Sequence, residues 1–437
     1  MTIEGKQFVD WFRTASPYIH VHRNRTFVIK FDDDAINADT FTHLVHDLAL
    51  LNSLGIRLVL VYGTRSSIEK LLVDEPMSQS FHHGLRVTDQ ETMSFVKLAA
   101  GTLRFRIESR LSMGLGNSPM SNAGLRVCSG NYVTAKPMGI IDGVDYQFTG
   151  EVRSIDSKAI TDKLGAREIV LVPPIGYSTT GEAYNLNADT LAATLASRLG
   201  ADKLLYLTSV EGVMDANGEL VRQLTQQEAQ DVLAGMNEND VIYHSLLSSV
   251  RAVKAGVSRA HLVDHRIDGA ILQELFTRDG CGTMITNSPY DVVRQATIND
   301  INGILDLLEP LEQQGILVHR SREKLELEID HFTLMERDGV LIGCAALYPF
   351  PQEQAAEMAC LAVHHDYHND GRGEELLELL ENRARGMGIT SLFVLTTHAE
   401  HWFLDKGFDN ATVHDLPVDR KSMYNYQRNS KVLIKKI

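Results

Sequence analysis

Short apolar runs set between polar turn residues alternate with longer amphipathic stretches over the first two thirds of the chain. The run TFVIKF (26–31) is rich in β-formers, residues 39–54 place Leu44, Leu48 and Leu51 on one helical face ahead of Gly55, and IRLVLVYG (56–63) returns as a buried strand. That order predicts a parallel βαβ unit. The alternation resumes with EIVLVPPIG (168–176), the helical run ADTLAATLASRLGA (188–201) and KLLYLTS (203–209), while YVTAKPMGIIDGVDYQFTGEV (132–152) reads as a hairpin excursion around Gly and Pro. The first 285 residues are therefore expected to form one open, mostly parallel α/β sheet.

The pattern breaks at TNSPYDVVRQATIND (286–300), where polar turn residues and Pro289 interrupt it, so residues 286–296 are read as a linker. From 297 to 437 the elements change character. A helix (DINGILDLLEPLEQQG, 300–315) leads to two antiparallel strands (332–350, turning at Asp338-Gly339) and a third strand, AEMACLAV (356–363). A glycine-containing loop, a helix and the strand SLFVLTT (391–397) follow, which predicts an α+β domain.

Charge and cysteine usage narrow the function. Fifty-seven acids against 42 bases give a formal net charge of −15, which repels a polyanion, so nucleic acid is not an expected partner. The four cysteines, Cys128, Cys281, Cys344 and Cys360, form no close pair or His/Cys ligand spacing, so neither a disulfide framework nor a metal is expected. No apolar run reaches the roughly eighteen residues of a membrane span, and the N-terminus lacks an export-signal core. A cytoplasmic protein is the expectation.

In HHDYHNDGRGEELL (364–377) a strand gives way to a loop and then to a helix apolar at Leu376, Leu377, Leu380 and Ala384. Gly371 and Gly373 let the backbone approach a ligand, and their N–H groups with the helix's first turn suit an anion. A plain strand-to-helix turn, with Glu374 and Glu375 complementing the helix dipole, is the alternative. From about residue 295 onward the chain resembles the GCN5-related N-acetyltransferases (GNAT), whose acetyl-CoA loop reads Gln/Arg-x-x-Gly-x-Gly/Ala. Here it runs His368-Asn369-Asp370-Gly371-Arg372-Gly373, with His368 as the departure. The run HAEHWFLDKGF (398–408) resembles the second motif, with Trp402 and Phe403 where the family usually has a tyrosine acid. The resemblance implies that His368, Asp370, Gly371, Arg372 and Gly373 hold acetyl-CoA together with the backbone of Cys360, Leu361 and Ala362.

Acetyl transfer to an amine needs a base, an oxyanion donor and optionally an acid. Glu357 is placed to be the base, or else is a strand-end acid facing water. Thr396 and Thr397 offer hydroxyls near the leaving group, or simply cap their strand. An acceptor bearing carboxylates calls for guanidinium forks. Candidates are Arg320 and Arg322 in LVHRSREKLELEI and Arg428, followed by Ser430, in YNYQRNSKVLIKK; Lys431, Lys435 and Lys436 read as solvated. With VHRSRE, AEMACLAV, LFVLTT, HWF and YNYQR-S-K, the whole chain resembles the two-domain bacterial N-acetylglutamate synthases. That resemblance implies direct acetyl transfer to L-glutamate, the first step of arginine biosynthesis. In it Arg320, Arg428 and Ser430 hold the glutamate carboxylates, Glu357 is the base and Thr396 occupies the acid position.

The first 285 residues resemble the amino acid kinase family in GLRVTD (84–89), YNLNADTLAATLASRLGADKLLYLTSVEGVMD (184–215) and ELFTRDGCGTMI (274–285). A kinase must cradle phosphates with backbone N–H groups. Lys30 survives, but Asp32-Asp33 replace a glycine pair, Gly63-Thr64-Arg65 replaces a glycine run and Ser245 replaces a lysine. Phosphoryl transfer is not expected. By resemblance to arginine-sensitive members, His261, Glu274 and Gly280 mark an allosteric L-arginine site, with Glu274 for the guanidinium and the 279–282 turn for the α-carboxylate; a helix acid and a C-cap glycine are the alternative. Phe8, Trp11 and Phe12 make an aromatic face on the segment 1–22, which by resemblance links subunits into a homo-oligomer, a hexamer as the leading expectation. Two rival functions stay open: a bifunctional chain that still phosphorylates acetylglutamate, and an arginine-binding regulator that acetylates protein lysines.

Overall fold

The computed structural model describes residues 3–73, 80–114, 116–287, 291–337, 340–368 and 371–437, in two compact units, 1–288 and 289–437. In the first, an eight-stranded sheet runs in the order Gln223–Thr225, Thr283–Thr286, Arg259–Asp264, Lys203–Thr208, Thr26–Phe31, Arg57–Tyr62, Ile169–Val172, Val127–Cys128. All neighbours are parallel except Arg259–Asp264 against Thr283–Thr286. Because side chains alternate across a strand, each central strand feeds two cores. Val28, Val59, Val61, Leu204 and Tyr206 pack on one face with the helices Ala188–Leu199 and Tyr243–Lys254. Phe27, Ile29, Phe31, Leu58, Leu60 and Leu205 pack on the other with Phe41–Ser53 and Ala270–Phe276. Burial on both faces is why these strands read as continuous apolar runs.

The 132–152 excursion is more than a hairpin. Val133–Pro137 and Thr149–Ile155 close a four-stranded barrel with Ile175–Tyr177 and Ala183–Leu186. Pro173 and Pro174 supply no N–H to a ladder, so EIVLVPPIG splits, its first half staying in the large sheet and its second joining the barrel.

The second unit holds a seven-stranded sheet in the order Asp291–Gln295, Phe332–Arg337, Val340–Phe350, Ala355–Val363, Ser391–Thr396, Lys431–Lys436, Asp409–Ala411. The stretch read as a linker thus contributes an edge strand, 291–295, paired antiparallel to 332–337. Its Val292-Val293 pair is too short to signal a strand without its partner. Pro289 and the Asp338-Gly339 turn lie outside the described residues. The C-terminal basic run also differs from a solvated tail. It is the strand 431–436, in which Lys435 reaches the buried Glu381 at 2.6 Å.

Candidate active site

The one parallel pair among the described strands of the second sheet, 355–363 beside 391–396, holds register only from Ala355↔Ser391 to Glu357↔Phe393. Beyond Glu357 the two strands part. On the other side of 355–363 the register slips between Cys344↔Ala362 and Ala346↔Ala359, and Cys360 takes φ +53°, the mark of a β-bulge. The bulge and the parting together leave backbone at Cys360, Leu361 and Ala362 without a ladder partner on the 391–396 side, a slot for an extended chain carrying amides.

Glu357 sits at the mouth of this slot, buried, and accepts a two-pronged pair from Arg420, Nε at 2.5 Å and Nη2 at 2.9 Å. Arg420, on the short helix Val418–Ser422, escaped the sequence reading because nothing local distinguishes it from a surface basic residue. One predicted fork is tied to the segment that carries the other. Arg428 Nη2 donates to the Ile316 carbonyl at 2.5 Å, a few residues ahead of Arg320, whose Nη1 donates to Glu328 at 2.7 Å. Tyr348 donates its hydroxyl to the same Glu328 oxygen at 2.7 Å, and the Arg320 guanidinium lies 5.5 Å from the Tyr348 ring centre. Burial would lower the Arg320 pKa, but neighbouring Cys360, Tyr348 and Glu328 outweigh it and hold the guanidinium charged. Among the described residues, Arg320 Nε and Arg428 Nε are both buried without a hydrogen-bond partner. Buried N–H donors left over on two guanidinium groups fit a carboxylate-bearing ligand. Arg322, by contrast, pairs outward with Glu326 and Asn302.

Ser430 is buried at the start of the last long strand, its carbonyl accepting from Tyr424 Oη at 2.6 Å. In the adjoining strand Thr396 Oγ1 accepts from the Ala399 N–H at 2.9 Å, which leaves its own O–H to donate. Thr397 is exposed and paired with His398. At the anion loop, Gly371 takes φ +76° as the N-cap of the helix Arg372–Gly386. The Glu374 and Glu375 N–H groups bond back to the Gly371 carbonyl, while their side chains are exposed. Arg372 stacks 4.7 Å from the Tyr367 ring centre. His368 Nε2 lies 2.8 Å from the Val363 carbonyl, so its ring is tied to the strand end rather than extended towards a phosphate. Asn369 and Asp370 lie outside the described residues.

Residues 25–264 match the amino acid kinase family and residues 301–408 the acetyltransferase (GNAT) family. An amino-acid acetyltransferase from Pseudomonas putida is 50% identical over 428 residues, spanning 98% of this chain and 99% of that one. The chain belongs to the two-domain amino-acid acetyltransferases. A Pseudomonas fluorescens relative of the same description is 49% identical over 99% of this chain and 100% of its own. The crystal structure of N-acetylglutamate synthase from Neisseria gonorrhoeae complexed with coenzyme A and L-arginine is 38% identical with a TM-score of 0.88, over 98% of this chain and 99% of that chain. A second structure from that organism, complexed with coenzyme A and N-acetyl-glutamate, is 39% identical with a TM-score of 0.64 over the same shares.

In this acetyltransferase the first unit pairs Lys30 and the Ser67 N–H with its own acids. Lys30, buried, pairs with Asp32 at 2.7 Å and Asp189 at 3.0 Å. Burial alone would lower its pKa, but Asp189 and then Asp32 reverse the shift and raise it, so the ammonium is fixed and committed. Asp33 accepts from the Ser67 N–H in the first turn of the helix Arg65–Leu72. The Asp32 carboxylate lies over Gly63, where a Cβ would fall 1.9 Å from Oδ1. Ser245 donates to Asp189 at 2.7 Å, and Asn187 caps the helix Ala188–Leu199 through the Thr190 N–H at 2.9 Å.

His261, Glu274 and Gly280 come together as well. His261 Nδ1 lies 2.6 Å from Glu274 Oε1, and Glu274 Oε2 accepts from the N–H groups of Cys281 at 2.7 Å and Gly282 at 2.9 Å. Two of the donors expected to face an α-carboxylate are thus held by Glu274 itself. Gly280, at φ +61°, must lack a side chain, since a Cβ would fall 2.3 Å from Glu274 Oε2. Lys203 Nζ stands 3.3 Å from His261 Nε2. An ammonium only donates, so Nε2 accepts and Nδ1 carries the hydrogen that goes to Glu274. The sequence signal for Lys203 was a lysine opening a buried strand.

Burial first and Lys203 second push His261 down to about 4, and the same causes in the same order push the buried His22 down to about 4. The unfolded chain takes up these protons near pH 6.5 and the folded chain only near pH 4, so the unfolded state binds more protons between them. Stability present above pH 6.5 is expected to fall as pH drops towards 4, by about 3 kcal/mol per histidine. Urea unfolding from pH 7.5 to 4.5 measures this. A midpoint that stays level would mean that the rings are already charged in the folded chain.

Proposed function

We propose that the chain is an acetyl-CoA:L-glutamate N-acetyltransferase opening arginine biosynthesis, restrained by L-arginine bound to a kinase-like unit that no longer phosphorylates. The observation that carries this reading is the pair of buried guanidinium Nε donors, on Arg320 and Arg428, in the same unit as the slot at Glu357. A dicarboxylate amino acid offers them acceptors, whereas a lysine side chain would bring a like charge.

Acetyl-CoA is the acetyl donor. Its pantetheine amides suit the bulged backbone at 360–362, and its phosphates suit the N–H groups of Gly371, Arg372 and Gly373. Arg320, Arg428 and Ser430 hold the glutamate carboxylates. The approaching α-ammonium displaces Arg420 from Glu357, which takes one of its protons. The amine nitrogen attacks the thioester carbon, a backbone N–H of the bulge receives the developing oxyanion, and the C–S bond breaks as the carbonyl reforms. Thr396 Oγ1–H donates to the departing thiolate and regains a proton from the newly acylated nitrogen, which becomes the neutral amide N–H. Arg428→Lys keeps the charge but loses the fork, and is expected to raise the glutamate KM about 10- to 100-fold with little change for acetyl-CoA. Equal effects on both would assign Arg428 to folding.

The internal acids at Lys30 and Ser67 support loss of kinase activity, since each group a phosphate would need is already paired. The Glu274 cluster supports an arginine sensor. Phe8, Trp11 and Phe12 are 63%, 50% and 52% exposed on the helix Ile3–His22, which supports a homo-oligomer, a hexamer by family resemblance. The deciding assay is CoA release with glutamate, aspartate, glutamine or lysine as acceptor, with and without arginine, beside an ATP-turnover control. Glutamate selectivity is expected, and CoA release favouring lysine would end the proposal.

A further inference from the structure

In the first unit, two tight hairpins meet tip to tip. The pair Phe81–His82 and Leu85–Arg86 turns at His83-Gly84, and the pair Ile140–Ile141 and Val144–Asp145 turns at Asp142-Gly143. His83 at φ +49° and Asp142 at φ +51° occupy left-handed positions in these turns. There His83 Nε2 lies 2.9 Å from Asp142 Oδ2, and the His82 ring centre lies 4.2 Å from that of His83. One donor atom from each of His82, His83 and Asp142 lies within 4.8 Å of the others.

The Nδ1 atoms of both rings already have oxygen partners. Tyr146 Oη donates its single hydrogen to the His82 carbonyl at 3.0 Å and lies 2.9 Å from His82 Nδ1. Nδ1 must therefore be the protonated nitrogen of His82, and Nε2 carries the free lone pair. His83 Nδ1 faces Glu238 Oε2 at 3.5 Å, which leaves its Nε2 on the Asp142 side. Both imidazoles are thus held at Nδ1 by an oxygen partner with Nε2 turned to other use, the arrangement that orients histidines bound to a metal. Two imidazoles and a carboxylate are a zinc-type donor set, and magnesium, which prefers all-oxygen ligands, does not suit it.

We propose that His82, His83 and Asp142 bind a divalent first-row transition metal, with Tyr146 and Glu238 orienting the rings. Ligand atoms about 2.0–2.2 Å from zinc stand roughly 3.4 Å apart, so closure requires only side-chain rotation. The ion replaces the proton between His83 and Asp142 and locks the two hairpins to each other. Gly84 extends the lock to the helix Tyr243–Lys254, because it packs where a Cβ would fall 2.2 Å from His244 Nε2.

The test uses the full chain stripped with EDTA, titrated with ZnCl2 by calorimetry and followed by thermal melting. One zinc per chain is expected, with a saturable rise in melting temperature, no response to MgCl2, and a tetrahedral absorption band when Co2+ is used instead. His83→Ala and Asp142→Asn should each abolish the uptake, and Tyr146→Phe or Glu238→Gln should weaken it about 10- to 100-fold. If His83→Ala does not fold, Asp142→Asn still decides. No uptake by the native chain, or uptake unchanged in Asp142→Asn, overturns the proposal.

Discussion

Replacing Glu357 with glutamine is expected to lower the glutamate-dependent kcat/KM by about 10²- to 10⁴-fold, the range for loss of a positioned base. The side chain keeps its size and one carbonyl oxygen for Arg420, so the second sheet should stay assembled. A purely structural role for Glu357 is the competing account, because its carboxylate is held by both prongs of Arg420. The two accounts diverge in Arg420→Gln. If Glu357 takes the ammonium proton, Arg420→Gln, which leaves that carboxylate in place, keeps most of the activity that Glu357→Gln loses. If Glu357 serves only to anchor Arg420, both variants lose similar activity, and the base assignment falls.

That competition shows what local sequence could and could not reveal. The strands Thr26–Phe31 and Lys203–Thr208 were legible because burial on both faces writes an unbroken apolar run, and the helix Ala188–Leu199 because its period is local. The barrel was not, since its strands are short and its closure rests on pairs such as Thr134↔Tyr177, far apart in the chain. Glu357 stood out at the head of a strand, but Arg420 lies 63 positions away on a helical turn with no pattern of its own. Arg320 and Arg428 were separately visible as forks. The tie between them, from Arg428 to the Gly315 and Ile316 carbonyls on the segment that leads to Arg320, is supplied only by the folded chain. Lys203, likewise, reads as the first residue of a strand until His261 and Glu274 are placed beside it. Side-chain chemistry was readable where it recurs within a turn or a strand, and hidden where the sheet order creates it.

The largest effect on regulation is expected from Glu274→Gln, through hydrogen-bond polarity as much as charge. The carboxylate accepts on both oxygens, from His261 Nδ1–H on one and from Cys281 and Gly282 N–H on the other. An amide has one oxygen. If that oxygen keeps the Cys281 and Gly282 donors, the NH2 confronts His261 Nδ1–H, and the ring can accept only by moving its hydrogen to Nε2, which faces the Lys203 ammonium. Each arrangement sets donor against donor in a buried site, a penalty of about 1–3 kcal/mol. The native carboxylate avoids this: burial would raise its pKa, but His261 and the two backbone N–H groups hold it down to about 2. Loss of the anion also removes the partner for a guanidinium, so arginine should bind at least about 30-fold more weakly and cease to inhibit CoA release. Calorimetric arginine titration separates this from simple loosening, because a ligand that binds only the folded chain raises its melting temperature by mass action. If Glu274→Gln melts earlier yet is protected by arginine over the native concentration range, Glu274 only holds the fold and the sensor lies elsewhere. If protection vanishes, reciprocity requires that acetyl-CoA and glutamate shift arginine affinity in the native chain by the factor with which arginine shifts theirs.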